Sequence, residues 1–129
     1  MTEKLFVYGT LHPDRAPSEI AEVVRRFQPM GEGTVRGHLY RFDEYPAMVL
    51  DRKGFPVSGQ VFSIPENSNA LKQLDAYEEY HPEDPQDSLF IRRKTKVTLH
   101  NGRQAQCWIY VYNKPIPANH LESQLASVA

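Results

Sequence analysis

Two places in this sequence carry residue types that could do chemistry. One is Glu78, near the end of a segment with helical spacing. Leu71, Leu74 and Glu78 fall three and seven residues apart, so they share one face, and that face is the apolar one. A carboxylate on an apolar stripe loses hydration, which raises its pKa. The negative end of the helix dipole acts in the same direction. A carboxyl held in this way is a candidate proton carrier. The bland alternative is a rim residue that reaches water or an arginine. Asp75 and Glu79 are expected off this stripe, in solvent. The second place is Tyr8-Gly9-Thr10-Leu11, where a glycine follows a short apolar strand. Glycine permits unusual backbone angles and close approach of a ligand, and successive N–H groups in such a turn form a nest for a carboxylate or an oxyanion. An ordinary strand-ending turn would look the same.

Other reactive residue types point elsewhere. Cys107 lies mid-strand beside Trp108 with no histidine near it in sequence, as a buried structural thiol would. The five histidines show no ligand spacing, so no metal is expected, and nothing calls for a cofactor. Tyr8, Tyr40 and Tyr110 or Tyr112 could line a cavity with a polar tip on an apolar wall, or could be plain core aromatics. Arg92-Arg93-Lys94 and Lys96 read by default as a solvated strand, from which one residue could meet a substrate carboxylate. The acidic, proline-rich stretch from His81 to Ser88 is either a lid or a simple connection.

The elements that must position these residues follow from periodicity. Residues 4–8 form a short buried strand. Ser18 to Phe27 is helical, with Ile20, Val23, Val24 and Phe27 on one face. Strands are expected over 33–42, 47–50 and 57–64, with turns at Asp43-Glu44-Tyr45-Pro46 and Asp51-Arg52-Lys53-Gly54. Pro65-Glu66-Asn67-Ser68-Asn69 starts a helix over 67–79. Two long strands, 89–99 and 104–112, flank His100-Asn101-Gly102-Arg103. A three-residue loop with Gly102 left-handed pairs Val97 with Ala105 and Thr95 with Cys107, matching like with like. Hairpins dominate, so the expected fold is α+β: a small, mixed, mostly antiparallel β-barrel, closed or half-closed, with two main helices. Residues 1–113 form the domain, and 114–129 a tail that is a short helix capped by Asn119 or a frayed end.

Composition bounds the function. The chain has 129 residues, enough for one core, and its 40% hydrophobic and 24% charged residues suit a folded domain. A net charge of −1 gives no reason to expect nucleic acid or an anionic membrane as partner. No apolar run approaches the roughly 20 residues of a membrane span, and Met1-Thr2-Glu3-Lys4 lacks signal-peptide character. One cysteine permits no internal disulfide, so the expected compartment is the cytoplasm.

Several segments, taken in order, match one family. Leu5-Phe6-Val7-Tyr8-Gly9-Thr10-Leu11 resembles the YGSL/YGTL signature of the γ-glutamylcyclotransferase-like superfamily. Gly37-His38-Leu39-Tyr40, Tyr45-Pro46-Ala47 and Val57-Ser58-Gly59-Gln60-Val61-Phe62 follow in register. Leu74-Asp75-Ala76-Tyr77-Glu78 is similar to the LDxxE segment, and Cys107-Trp108-Ile109-Tyr110-Val111-Tyr112 to the closing strand. The resemblance is to the γ-glutamylamine cyclotransferase and plant avirulence-induced-gene-like branch. It implies a small mixed barrel and an enzyme that cleaves γ-glutamyl amides by cyclisation to 5-oxoproline, releasing an amine. It also implies that Glu78 is the acid/base and that Tyr8, Gly9, Thr10 and Leu11 hold the substrate, with Tyr40 and Tyr110 as further lining. Many members have glycine after the glutamate, where this chain has Glu79. The expected partner is a small γ-glutamyl compound, bound by a monomer or weak homodimer. The alternative is a binding module of the same fold without turnover.

Overall fold

The computed structural model describes residues 3–8, 18–42, 46–66 and 69–116. The chain order is β1 (Glu3–Val7), α1 (Ser18–Val24), β2 (Gln28–Arg41), β3 (Pro46–Leu50), β4 (Phe55–Ile64), α2 (Ala70–Tyr77), β5 (Phe90–Leu99) and β6 (Gln104–Tyr112). A short 3-10 turn, Pro85–Asp87, precedes β5.

Neighbouring strands run in the order β3-β2-β4-β1-β6-β5, and β2 also pairs with β5. Five strands therefore close into a barrel, and β3 adds a sixth on the edge of β2. Every pairing is antiparallel except β1 with β6, where Leu5 lies parallel to Trp108. The expected mixed, mostly antiparallel barrel is what the chain forms.

The strand alternation divides the apolar residues into two clusters. Phe6, Val35, Leu39, Val61, Val97, Cys107 and Ile109 point inward and fill the barrel with no helix among them. Their neighbours Leu5, Val7, Phe62, Ile64 and Tyr110 point outward and pack with Ile20 and Val24 of α1, Phe27 just after it and Leu74 of α2. Both helices thus lie on the outer face of β1, β4 and β6. Gly59 on β4 lies close against β1. A Cβ there would stand 2.5 Å from the Val7 carbonyl oxygen and 2.6 Å from the Phe6 ring.

The β5–β6 hairpin has the expected register, with Val97 opposite Ala105 and Thr95 opposite Cys107. The Leu99 N–H donates to the Arg103 carbonyl at 2.7 Å, and Gly102 has φ +86°. Cys107 is fully buried, as expected of a structural thiol.

Some boundaries differ. β2 begins at Gln28 rather than residue 33, because its first part pairs with β4 across an irregularity between Pro29 and Gly31. The apolar alternation there is interrupted, so those residues do not read as strand. The first helix ends at Val24, and Phe27 completes its apolar face from beyond the last turn. The second helix spans 70–77 rather than 67–79. Two other expectations, the turn at Asp43-Glu44-Tyr45 and the short helix after Pro117, lie outside the described residues.

Candidate active site

Glu78 is the C-cap of α2. Its N–H still bonds the Leu74 carbonyl at 2.8 Å, so the helical direction holds through this residue and the side chain lies half-buried beside the Leu74 stripe. Burial raises its pKa from 4.5 to about 7, with the neighbouring Glu79 carboxylate adding to the effect.

The chain reverses immediately afterwards. Glu79 has φ +56°, the left-handed region that favours glycine. Its N–H donates to the Ala76 carbonyl at 3.3 Å, and the Tyr80 N–H to the Asp75 carbonyl at 2.8 Å. This pair of bonds is the Schellman arrangement that ends a helix, with a glutamate in the position usually taken by glycine. The Glu79 side chain is exposed, as expected.

Asp75 is not in solvent. Its relative exposure is 6%, among the lowest of any charged residue in the described chain. Arg92 of β5 grips it through two bonds, Nε to Oδ1 at 2.8 Å and Nη2 to Oδ2 at 3.1 Å. The Tyr110 hydroxyl donates to Oδ1 at 2.7 Å. Residue 75 follows Leu71 by four and so sits on the covered side of the helix. A purely apolar reading of that face excludes an aspartate, but a guanidinium across the interface compensates its charge. Arg92 correspondingly leaves the solvated strand expected of it. It lies against the Trp108 ring at 4.3 Å, and Lys94 lies over the same ring at 4.9 Å.

Tyr8 directly follows β1 and reaches across to β6, where its hydroxyl donates to the Tyr110 backbone carbonyl. A backbone hydrogen bond from Met48 meets the same hydroxyl. Burial, and then the Glu78 charge, push the Tyr8 phenol well above its ordinary pKa. Burial likewise leads for Tyr110, followed by its bond to Asp75, with Glu78 contributing further.

Of the residues singled out from sequence, Tyr8 and Tyr110 are joined by a hydrogen bond, and Glu78 follows by one helical turn the Asp75 that Tyr110 bonds. Gly9, Thr10 and Leu11 follow Tyr8 directly and lie outside the described residues. Tyr40 is not brought to this cluster. It stands on the opposite face of β2 from inward-pointing Leu39, with its ring 6.5 Å from that of His38. Tyr112 packs against Phe42 and Phe90, at ring distances of 5.1 and 5.7 Å. The stretch from His81 to Ser88 is tied down as a connection. Ser88 is fully buried and its hydroxyl takes the His81 N–H at 2.7 Å, while the Asn113 amide bonds the carbonyls of Pro85 and Ser88.

Asp75 and Arg92 are the two residues at this site that sequence reasoning missed. The available signal was complementary: one acidic residue near a helical stripe and one basic residue on a strand, each at a position the pattern leaves ambiguous.

The chain is similar in sequence and in fold to known proteins. An inferred γ-glutamylcyclotransferase of Halalkalibacterium halodurans is 37% identical over 84 residues, covering 64% of this chain and 69% of its own length. A mouse AIG2-like protein has the same fold, with a TM-score of 0.72 and 21% identity over 99% of this chain and 88% of its own. An Arabidopsis thaliana protein superposes with a TM-score of 0.68 and 22% identity, over 93% of this chain and 74% of its own. Residues 5–127 match the γ-glutamyl cyclotransferase, AIG2-like family, and the chain belongs to that family.

Proposed function

We propose that this protein is a γ-glutamylcyclotransferase-type enzyme that releases an amine and 5-oxoproline from a γ-glutamyl amide, with Glu78 as the proton carrier. The observation that carries the reading is the Glu78 carboxyl itself: half-buried, beside two tyrosines, with its pKa raised to about 7. Such a group exchanges protons readily near neutral pH.

The substrate supplies its own nucleophile. Its α-amine attacks the γ-carbonyl carbon, a new C–N bond closes the five-membered ring, and the amide C–N bond breaks. The ionised Glu78 takes a proton from the attacking amine and returns it to the departing nitrogen. No water is consumed, no redox step occurs and no cofactor is drawn on. The protein contributes orientation, which can be worth several kcal/mol, together with donors to the developing oxyanion. The residues after Tyr8, Gly9 to Leu11, are the proposed source of those donors.

The test is release of 5-oxoproline from a panel of γ-glutamyl amino acids and γ-glutamylamines. Wild type should turn over at least one of them, and Glu78→Gln should lose about 10²–10⁴-fold in kcat while keeping its circular dichroism spectrum. A near-normal rate in the folded variant removes Glu78 from the mechanism. Tight binding of a panel member without release by wild type identifies a binding module instead.

A further inference from the structure

Two phenol groups stand near Glu78: the Tyr110 hydroxyl bonds Asp75, one helical turn before Glu78, and the Tyr8 hydroxyl bonds the Tyr110 carbonyl. Each phenol has one proton to donate. The Tyr8 proton goes to the Tyr110 carbonyl, and the Tyr110 proton goes to Asp75 Oδ1 at 2.7 Å. Neither is left for Glu78, and among the described residues no other side chain donates a hydrogen bond to it. The remaining charged groups are Glu79 beside it and, behind Tyr110, the Asp75–Arg92 pair, whose opposite charges offset each other.

Asp75 is held firmly enough to choose the direction of the Tyr110 hydroxyl. Arg92 occupies both of its oxygens, and Trp108 backs Arg92 at 4.3 Å. A buried ion pair gains little net stability once desolvation is counted. What this one does supply is a fixed acceptor at the Tyr110 oxygen.

We propose that Asp75 is a positioning residue for the acid–base step: by holding the Tyr110 hydroxyl proton it turns a donor away from Glu78, leaving that carboxylate to take its hydrogen bond and proton from the substrate amine. This rests on the reading of Glu78 as proton carrier. In Asp75→Asn the neutral amide oxygen that faces Arg92 is a weaker acceptor than the carboxylate, so the Tyr110 hydroxyl is held less firmly and is freed to turn toward Glu78.

The test is a carboxyl-carbon NMR titration of Glu78 in the free, full-length protein. The wild-type midpoint is expected at about 7. In Asp75→Asn it should fall by about one pH unit or more, because a hydrogen bond to the ionised form favours that form. Asp75→Asn also removes a negative charge, which lowers the midpoint by itself. The double variant Asp75→Asn/Tyr110→Phe lacks the same charge and also the hydroxyl, so its midpoint should move back upward. An unmoved midpoint in Asp75→Asn, or a double variant identical to it, overturns the proposal. Should Asp75→Asn fail to fold, Tyr110→Phe alone decides. It should leave the midpoint in place, and a rise of about a unit would show that Tyr110 had been donating to Glu78 all along. Turnover separates the two readings. If Glu78→Gln is inactive and the midpoint stays fixed in Asp75→Asn, only the role of Asp75 fails. Should Glu78→Gln remain active, the proton-carrier reading fails whatever the titration shows.

Discussion

Glu79 holds two properties of the site in one residue. Its backbone lies at φ +56°, and its carboxylate adds to the proton affinity of Glu78. Replacing it by glycine should therefore act twice. Relief of the left-handed conformation should stabilise the fold by about 0.5–1 kcal/mol, read as a higher denaturation midpoint. If Glu78 is the proposed base, loss of the adjacent charge should move the acid limb of the kcat/KM profile below its wild-type position, expected near pH 7. A lower stability or an unmoved limb would count against the respective cause. The sequence made Glu78 legible, because its position relative to Leu71 and Leu74 is a matter of counting. Asp75 was not legible by the same count. Its burial depends on Arg92, which is 17 residues away in the chain and on another element.

At the scale of elements, the site depends on how closely β1 and β4 approach each other. Tyr8 is placed by β1, and β1 runs against Gly59 with no room for a Cβ. Gly59→Ala should force β1 outward and destabilise the protein by about 1–3 kcal/mol, measured by urea unfolding. Turnover should fall with it, as Tyr8 moves away from Tyr110. An unchanged midpoint would mean that the wall yields elsewhere. Strand identity was largely readable, since Val57, Val61, Val97 and Ile109 alternate cleanly and the hairpin register followed from matching residue types. The start of β2 was not readable. Pairing partners sustain it through Gln28 to Glu32, where the residues themselves give no alternating signal. The helix end was likewise misplaced by two residues, because no glycine marks the reversal at Glu79.

For the whole molecule, Glu78 links stability to pH. Its pKa is raised in the folded state, from 4.5 to about 7. The folded protein therefore binds more protons than the unfolded chain between those values, and stability is lost as pH rises through them. Glu78→Gln has no such charge to bury. It should be more stable than wild type by about 1–3 kcal/mol at pH 8, with the gap closing as pH falls toward 4.5. Thermal melts across that range check the sign. The barrel as a class was readable only in part, from its two hairpins β2–β3 and β5–β6; β1 with β4, β2 with β4 and β2 with β5 pair across intervening elements. The single parallel pairing joins the first strand to the last. Tyr8 and Tyr110, which bond across that seam, are 102 residues apart in the chain. Contacts of such high sequence separation are entropically late to form. Hairpins such as β5–β6 can form early from local pairing, but the proposed proton-transfer centre comes into being only when the seam zips shut. A ribosome-bound chain lacking β6 would have Glu78 already synthesised and no place to use it. Competence for the proposed reaction is in this sense a report that folding has finished.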